Sequence, residues 1–318
     1  MSKIKTSEQE PGAKRRGSPK GFHFINLYQC CPRKFYITYI KGYRNKFMAQ
    51  PLVLGSAFHE GKASWYLGKS EKACIKTALE VVQSYRADLE TKEIYEEILF
   101  RVENLLHVWI QSFGISDRQQ FKVLEVEHEL DVKLGDTEFS MTMRPDAILQ
   151  DKSCDLIYIM ETKTSGFSHR ITAEAVYYGD QATAYLWGVS KKRKFKPYAV
   201  LPDIAYWNKT TRDVRNIQCI RSDLVMRSEY QIEMFENGMK QLFLEATQKA
   251  LAVKDGYDPD VLFPRNTYYC LSYSHPCEFA HICHQDVKNM KRIPQGFKKD
   301  IGNKGLGRPT RDIISIQG

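Results

Sequence analysis

Three short stretches of this chain carry residue types that could do chemistry. Met143-Arg144-Pro145-Asp146-Ala147-Ile148-Leu149 and Ile157-Tyr158-Ile159-Met160-Glu161-Thr162-Lys163 read as strands, with the charged groups where the apolar runs stop. Gln181-Ala182-Thr183-Ala184-Tyr185 sets two polar groups four apart, on one face of a helix. Residues two apart on a strand share a face, so Glu161 and Lys163 point one way and Thr162 the other. If the strands pair, Asp146 approaches Glu161, and two carboxylates and an ammonium converge at one sheet edge. That set suits a divalent cation activating a water against a phosphodiester. Taken singly, Asp146 reads as turn chemistry beside Pro145, and Glu161 with Lys163 as a surface ion pair. But Glu161 ends an apolar strand, where a buried acid is costly without a partner or a metal.

His59, in Leu54-Gly55-Ser56-Ala57-Phe58-His59-Glu60, is a candidate third ligand as a neutral imidazole. Gly55 leaves room for close helix packing or for a substrate backbone. Three of the eight cysteines, Cys270, Cys277 and Cys283, fall within fourteen residues and form an incomplete tetrahedral set. Cys31 is the obvious fourth donor and Cys30 its rival. Four thiolates suit an iron–sulfur cluster or zinc, and the nearby His275, His281 and His284 also allow a mixed Cys/His zinc site.

The elements that must position these groups follow from periodicity. Helical patterns run over Phe22–Ile40, Pro51–Leu67, Glu71–Leu89 and Thr91–Phe113. A hairpin is expected from Val123–Leu134 and Glu138–Leu149, joined across Gly135-Asp136. A strand follows at Asp155–Thr162, then a helix at Ala173–Val189, strands near Tyr198–Trp207 and Val214–Ile220, and a long helix at Ser222–Val253. This order predicts an α/β fold, a mixed sheet with helices before and after it.

At 318 residues, with 42% hydrophobic and 12% aromatic content, the chain can bury a full core. No apolar run of about 18 residues exists, so no membrane partner is expected. The polar, basic N-terminus lacks an apolar signal segment, which predicts a cytoplasmic location. The net charge is +9, and it is uneven: residues 1–20 hold six Lys/Arg against two Glu, and residues 288–318 eight against two Asp. Basic tails favour a polyanion through counterion release. A further cluster, Lys191-Lys192-Arg193-Lys194-Phe195-Lys196, closes the helix of Gln181 and Tyr185 and is a candidate phosphate-facing patch near the site.

Together these residues resemble the PD-(D/E)XK nuclease superfamily in its RecB-like branch, which includes CRISPR-associated RecB-like exonucleases and the AddB nuclease domain. Tyr28-x-x-Cys31-Pro32-x-Lys34-Phe35 resembles the N-terminal cysteine motif and Gly55-x-x-x-His59 the histidine motif. Arg144-Pro145-Asp146 resembles the (G/R)-x-D strand, Glu161-Thr162-Lys163 the E-x-K, and Gln181-x-x-x-Tyr185 the QxxxY helix. The late cysteines resemble the cluster-closing set, although six residues separate Cys270 from Cys277 where the family more often has two.

The resemblance implies a restriction-endonuclease-like mixed sheet flanked by helices. It would form one nuclease domain over 21–287, with a helical elaboration about 60–120 and basic tails at 1–20 and 288–318. It implies Mg²⁺ or Mn²⁺ on His59, Asp146, Glu161 and the Thr162 carbonyl, with Lys163 as the catalytic cation and Gln181 and Tyr185 contacting substrate. It also implies a [4Fe–4S] cluster on Cys31, Cys270, Cys277 and Cys283, stapling the N- and C-terminal segments, with zinc as the alternative occupant. The activity implied is a metal-dependent DNA exonuclease of low sequence specificity, on linear single- or double-stranded DNA, for recombination, repair, phage or CRISPR-related processing. A helicase or recombinase would be its partner. The alternative is a non-catalytic DNA-binding or scaffold subunit that keeps the fold.

Overall fold

A computed structural model of the chain describes residues 5–6, 21–166, 168–207, 213–274, 276–285 and 293–299. The two basic tails and His275 fall almost wholly outside them. In chain order the first elements are β1 (Lys5–Thr6), α1 (Phe22–Cys30), α2 (Pro32–Phe35), β2 (Tyr43–Asn45), α3 (Gln50–Tyr66), α4 (Glu71–Ser84), α5 (Lys92–Trp109) and α6 (Ile115–Gln120). The middle holds β3 (Phe121–Val126), β4 (Leu130–Lys133), β5 (Ser140–Met143), β6 (Ala147–Asp151), β7 (Ile157–Ser165), α7 (His169–Tyr178), α8 (Asp180–Lys192), β8 (Ala199–Tyr206) and β9 (Gln218–Arg221). Then come α9 (Glu229–Lys254), α10 (Pro259–Leu262), α11 (Ala280–Cys283) and β10 (Phe297–Lys299). Among the described residues no helix is long and apolar enough to cross a membrane.

The chain divides into two compact units. The first, Met1–Arg15, Met48–Leu130 and Met143–Phe235, holds a six-stranded sheet in the order β1-β3-β6-β7-β8-β9. β3, β6 and β7 pair antiparallel, β7 and β8 parallel, and β8 and β9 antiparallel. Helices cover both faces: Thr162 of β7 meets Lys62 of α3, while its neighbour Lys163 meets Gln181 of α8. The mixed sheet between helices and the helical N-terminal region are thus as the sequence predicts. β7 is buried on both faces, which is why Met160, Glu161 and Thr162 are all inaccessible in succession. α4 and α5 start on side-chain caps, Ser70 Oγ accepting from Ala73 N and Thr91 Oγ1 from Ile94 N. Val53, Leu54, Ala57 and Phe58 of α3 join Leu105, Leu106 and Trp109 of α5 in the core on that face.

The second unit, Arg16–Phe47, Asp131–Thr142 and Glu236–Gly318, packs Tyr28, Phe35 and Tyr36 around Phe263. It also holds the β2–β10 ribbon.

Two differences from the pattern reading bear on the site. The expected hairpin is two pairings: β3 with β6 in the main sheet, and β4 with β5 as a separate ribbon. The single helix expected over Ala173–Val189 is α7 and α8, broken at Gly179. A Cβ there would lie 2.4 Å from the Ala175 carbonyl oxygen, so the junction closes only around glycine.

Candidate metal centre

The site forms where the β3–β6 ladder ends. Val126 and Ala147 are its last partners, and beyond them the Glu127 N–H donates to the Asp146 carbonyl at 3.0 Å. Glu127 takes φ +48, a left-handed conformation that residues other than glycine seldom adopt. The strand stops there, and the Glu127 carboxylate stands between Arg144 and His59, its Oε2 3.1 Å from Arg144 Nε and its Oε1 3.8 Å from His59 Nδ1.

His59 comes from α3, which lies close against β7 because a glycine faces the strand. A Cβ on Gly55 would sit 3.3 Å from Thr164 Oγ1. Gly55 therefore serves close helix packing. His59 Nδ1 is 2.9 Å from Asp146 Oδ1, and the other Asp146 oxygen accepts from the Thr162 N–H at 2.6 Å. One ligand atom each from His59, Glu127 and Asp146 lies within 4.8 Å of the others. An imidazole nitrogen with two carboxylate oxygens is a fitting donor set for a divalent cation that accepts both donor types.

Glu161 and Lys163 stand beside this triad, on the face of β7 toward α8. Glu161 is 2% exposed, and its Oε1 lies 2.5 Å from Lys163 Nζ. Lys163 also donates to Gln181 Oε1 at 2.9 Å, Gln181 Nε2 to the Tyr185 hydroxyl at 2.9 Å, and that hydroxyl to the Arg144 carbonyl at 3.3 Å.

The two carboxyls are driven apart. Burial works against ionised Asp146, but His59, Lys62 and the Thr162 N–H together outweigh it and hold the group well below the usual carboxylate range. Burial pushes the Glu161 carboxyl up, the negative charge of Asp146 adds to that, and Lys163 offsets only part. Burial, with Glu161 and Asp146, also lifts the Tyr185 phenol well above its ordinary value, so it is a neutral hydroxyl.

The structure brings His59, Asp146, Glu161, Lys163, Gln181 and Tyr185 into one region. It adds Glu127, which the pattern reading passes over as the interior of a strand. The only trace of it in the sequence is an acid at the end of the strand that pairs with the Asp146 strand. Among the described residues Glu161 is outside the tight three-atom group.

The basic cluster at 191–196 stands apart from Gln181 along α8, and two of its cations are engaged elsewhere. It closes α8 some twelve residues, about 18 Å, beyond Gln181. Arg193 forms a bidentate pair with the buried Glu125, and Lys196 pairs with Glu229.

The four candidate ligand cysteines, and Cys30 with them, lie in the second unit. Cys31 separates α1 from α2, Cys270 lies in the 3₁₀ turn Thr267–Ser274, the Cys277 N–H donates to the Cys270 carbonyl at 2.7 Å, and Cys283 ends α11. Cys30 turns back into its own helix, its thiol 3.8 Å from Asn26 Oδ1, whereas Cys31 is buried. A tetrahedral zinc with bonds of about 2.3 Å needs sulfurs roughly 3.8 Å apart. Among the described residues no three cysteine sulfurs close to within 4.8 Å of one another, so the structure does not draw them into a zinc-sized tetrahedron. Burial raises the Cys277 and Cys283 thiols above their ordinary value.

Set beside known proteins, the chain matches the PD-(D/E)XK nuclease superfamily over residues 24–284. No curated protein matches it. Among solved structures, the crystal structure of SSO0001 shares 15% identity, over 83% of this chain and 98% of that one, with a TM-score of 0.29.

Proposed function

The chain belongs to the PD-(D/E)XK nuclease superfamily, and from that premise we propose that it is a metal-dependent deoxyribonuclease that degrades linear DNA from an end. The observation that carries the proposal is the His59–Glu127–Asp146 triad standing beside the Glu161–Lys163 pair. The order of its motifs favours the RecB-like branch, with residues 21–287 as the catalytic domain and about 60–120 as its helical elaboration.

His59, Glu127 and Asp146 would hold Mg²⁺ or Mn²⁺, with Glu161 and the Thr162 carbonyl completing the set. The imidazole favours Mn²⁺. Such an ion supplies positive charge to the phosphate and lowers the pKa of its bound water. The chain's own groups do the rest. Asp146 stays ionised across the working range. Lys163, held by Glu161 and Gln181, orients the attacking water and stabilises the negative charge that builds on the phosphoryl oxygens. Tyr185 keeps Gln181 in line, and both lie where a DNA strand would pass. Phosphate contacts carry no base reading, so cleavage has low sequence specificity. A helicase or recombinase partner fits this activity. A [4Fe–4S] cluster on Cys31, Cys270, Cys277 and Cys283 would be structural and takes no part in these steps; iron and sulfide analysis of protein purified without air tests it.

The deciding assay uses end-labelled linear and closed-circular DNA with Mn²⁺ or EDTA. Wild type is expected to remove linear DNA only, and only with the ion. Glu161→Ala and Lys163→Ala should each lose roughly 100-fold or more in rate. Full activity in either variant refutes the assignment. DNA binding without any cleavage returns the chain to a scaffold role.

A further inference from the structure

Lys62 is a charged side chain 3% exposed, on the face of β7 opposite Glu161 and Lys163. Its ammonium donates to Thr162 Oγ1 at 2.7 Å and to Asp203 Oδ2 at 2.6 Å. Thr162 and Asp203 are direct partners in the parallel β7–β8 ladder, so one cation spans both strands. The same Asp203 oxygen accepts from Trp109 Nε1 of α5 at 2.7 Å, and the ammonium lies 4.5 Å from the Trp109 ring. Arg221 stands 3.8 Å from that oxygen and pairs with Asp117.

Two facts tie this buried network to the metal centre. Thr162 gives its backbone N–H to Asp146, so holding the Thr162 side chain fixes the peptide that orients a ligand carboxylate. Lys62 also lies one helical turn beyond His59, on the same helix. α3 is therefore fastened to the sheet at two points, His59 on Asp146 and Lys62 on Thr162 and Asp203. The second fastening sets where the first falls.

We propose that Lys62, anchored by Asp203, is a positioning residue that clamps Thr162 and thereby holds His59 and Asp146 in metal-binding register. The proposal rests on the metal-centre reading above. A buried pair that serves only to hold the fold would not care about the Thr162 hydroxyl, and this separates the two roles.

The test is Mn²⁺ binding to the full chain by titration calorimetry, without DNA, alongside the thermal midpoint. Thr162→Val removes the hydroxyl but keeps the peptide and the Lys62–Asp203 pair. It is expected to fold normally and to bind Mn²⁺ about 10- to 100-fold more weakly, as removal of an outer partner does. Thr162→Ser restores the hydroxyl and should bind like wild type. Lys62→Met should show the same loss as Thr162→Val, with the KM for DNA unchanged and kcat reduced. Should Lys62→Met unfold because buried Asp203 loses its nearest cation, the Thr162 pair decides. Wild-type affinity in Thr162→Val, with Asp146→Ala abolishing binding, overturns the clamp and leaves the metal centre standing. Mn²⁺ binding that is absent from wild type, or unaffected by Asp146→Ala, overturns both.

Discussion

Glu127 holds a left-handed backbone that costs a residue other than glycine about 1–3 kcal/mol. The compensation lies in function: the turn delivers the third member of the triad. Glu127→Asn removes that carboxylate and supplies a residue tolerant of positive φ. It is expected to raise the thermal midpoint while Mn²⁺ affinity drops, read by calorimetry on one sample. A midpoint that falls would mean that the lost pair with Arg144 outweighs the strain of the turn. Glu161 poses the same conflict through charge. Its folded carboxyl titrates above the unfolded one, so folded-state stability is lost as pH rises through the folded value. Glu161→Gln takes away that loss. Its midpoint should exceed that of wild type at pH 8, and the gap should close as pH falls toward the ordinary carboxylate range, while cleavage is abolished throughout.

Helices and strands show how much of this site is legible in the sequence. Asp146 is legible because it borders an apolar strand, Glu161 and Lys163 because they break an apolar run inside β7, and Gln181 with Tyr185 because four residues make nearly one helical turn. Glu127 is not, because a single left-handed residue interrupts a strand without disturbing its apolar pattern. The break between α7 and α8 is hidden for a related reason: Gly179 reads as a tolerated helix glycine, and only the neighbouring Ala175 carbonyl reveals its role. The basic cluster does fall at the end of α8, but sequence proximity to Gln181 hides the length of the helix between them. The junction gives an element-scale test. Gly179→Ala touches no ligand, yet its methyl would meet backbone oxygen at 2.4 Å. It should destabilise the fold by about 1–3 kcal/mol and slow cleavage by shifting Gln181 away from Lys163. Unchanged rate and midpoint would show that α7 and α8 can part without consequence.

Across the whole molecule, the positive charge is concentrated toward the two ends of the chain, with eight Lys/Arg against two Asp in residues 288–318. Deleting residues 300–318, which follow β10 in sequence and hold three of those basic residues, should weaken DNA binding and flatten its salt dependence, by about 0.9 in log–log slope for each phosphate no longer neutralised. The turnover at saturating DNA should hold. A slope that does not change would mean that the segment does not touch DNA. Within the first unit, the chain of donors from Lys163 through Gln181 and Tyr185 to the Arg144 carbonyl has a consequence for observation. Each group in it has a single orientation that satisfies its neighbours, so the Gln181 carboxamide cannot flip without breaking two bonds at once. The Gln181 amide proton that meets the Tyr185 hydroxyl should therefore exchange slowly with solvent in the free protein, a native spectroscopic reporter already seated beside Lys163.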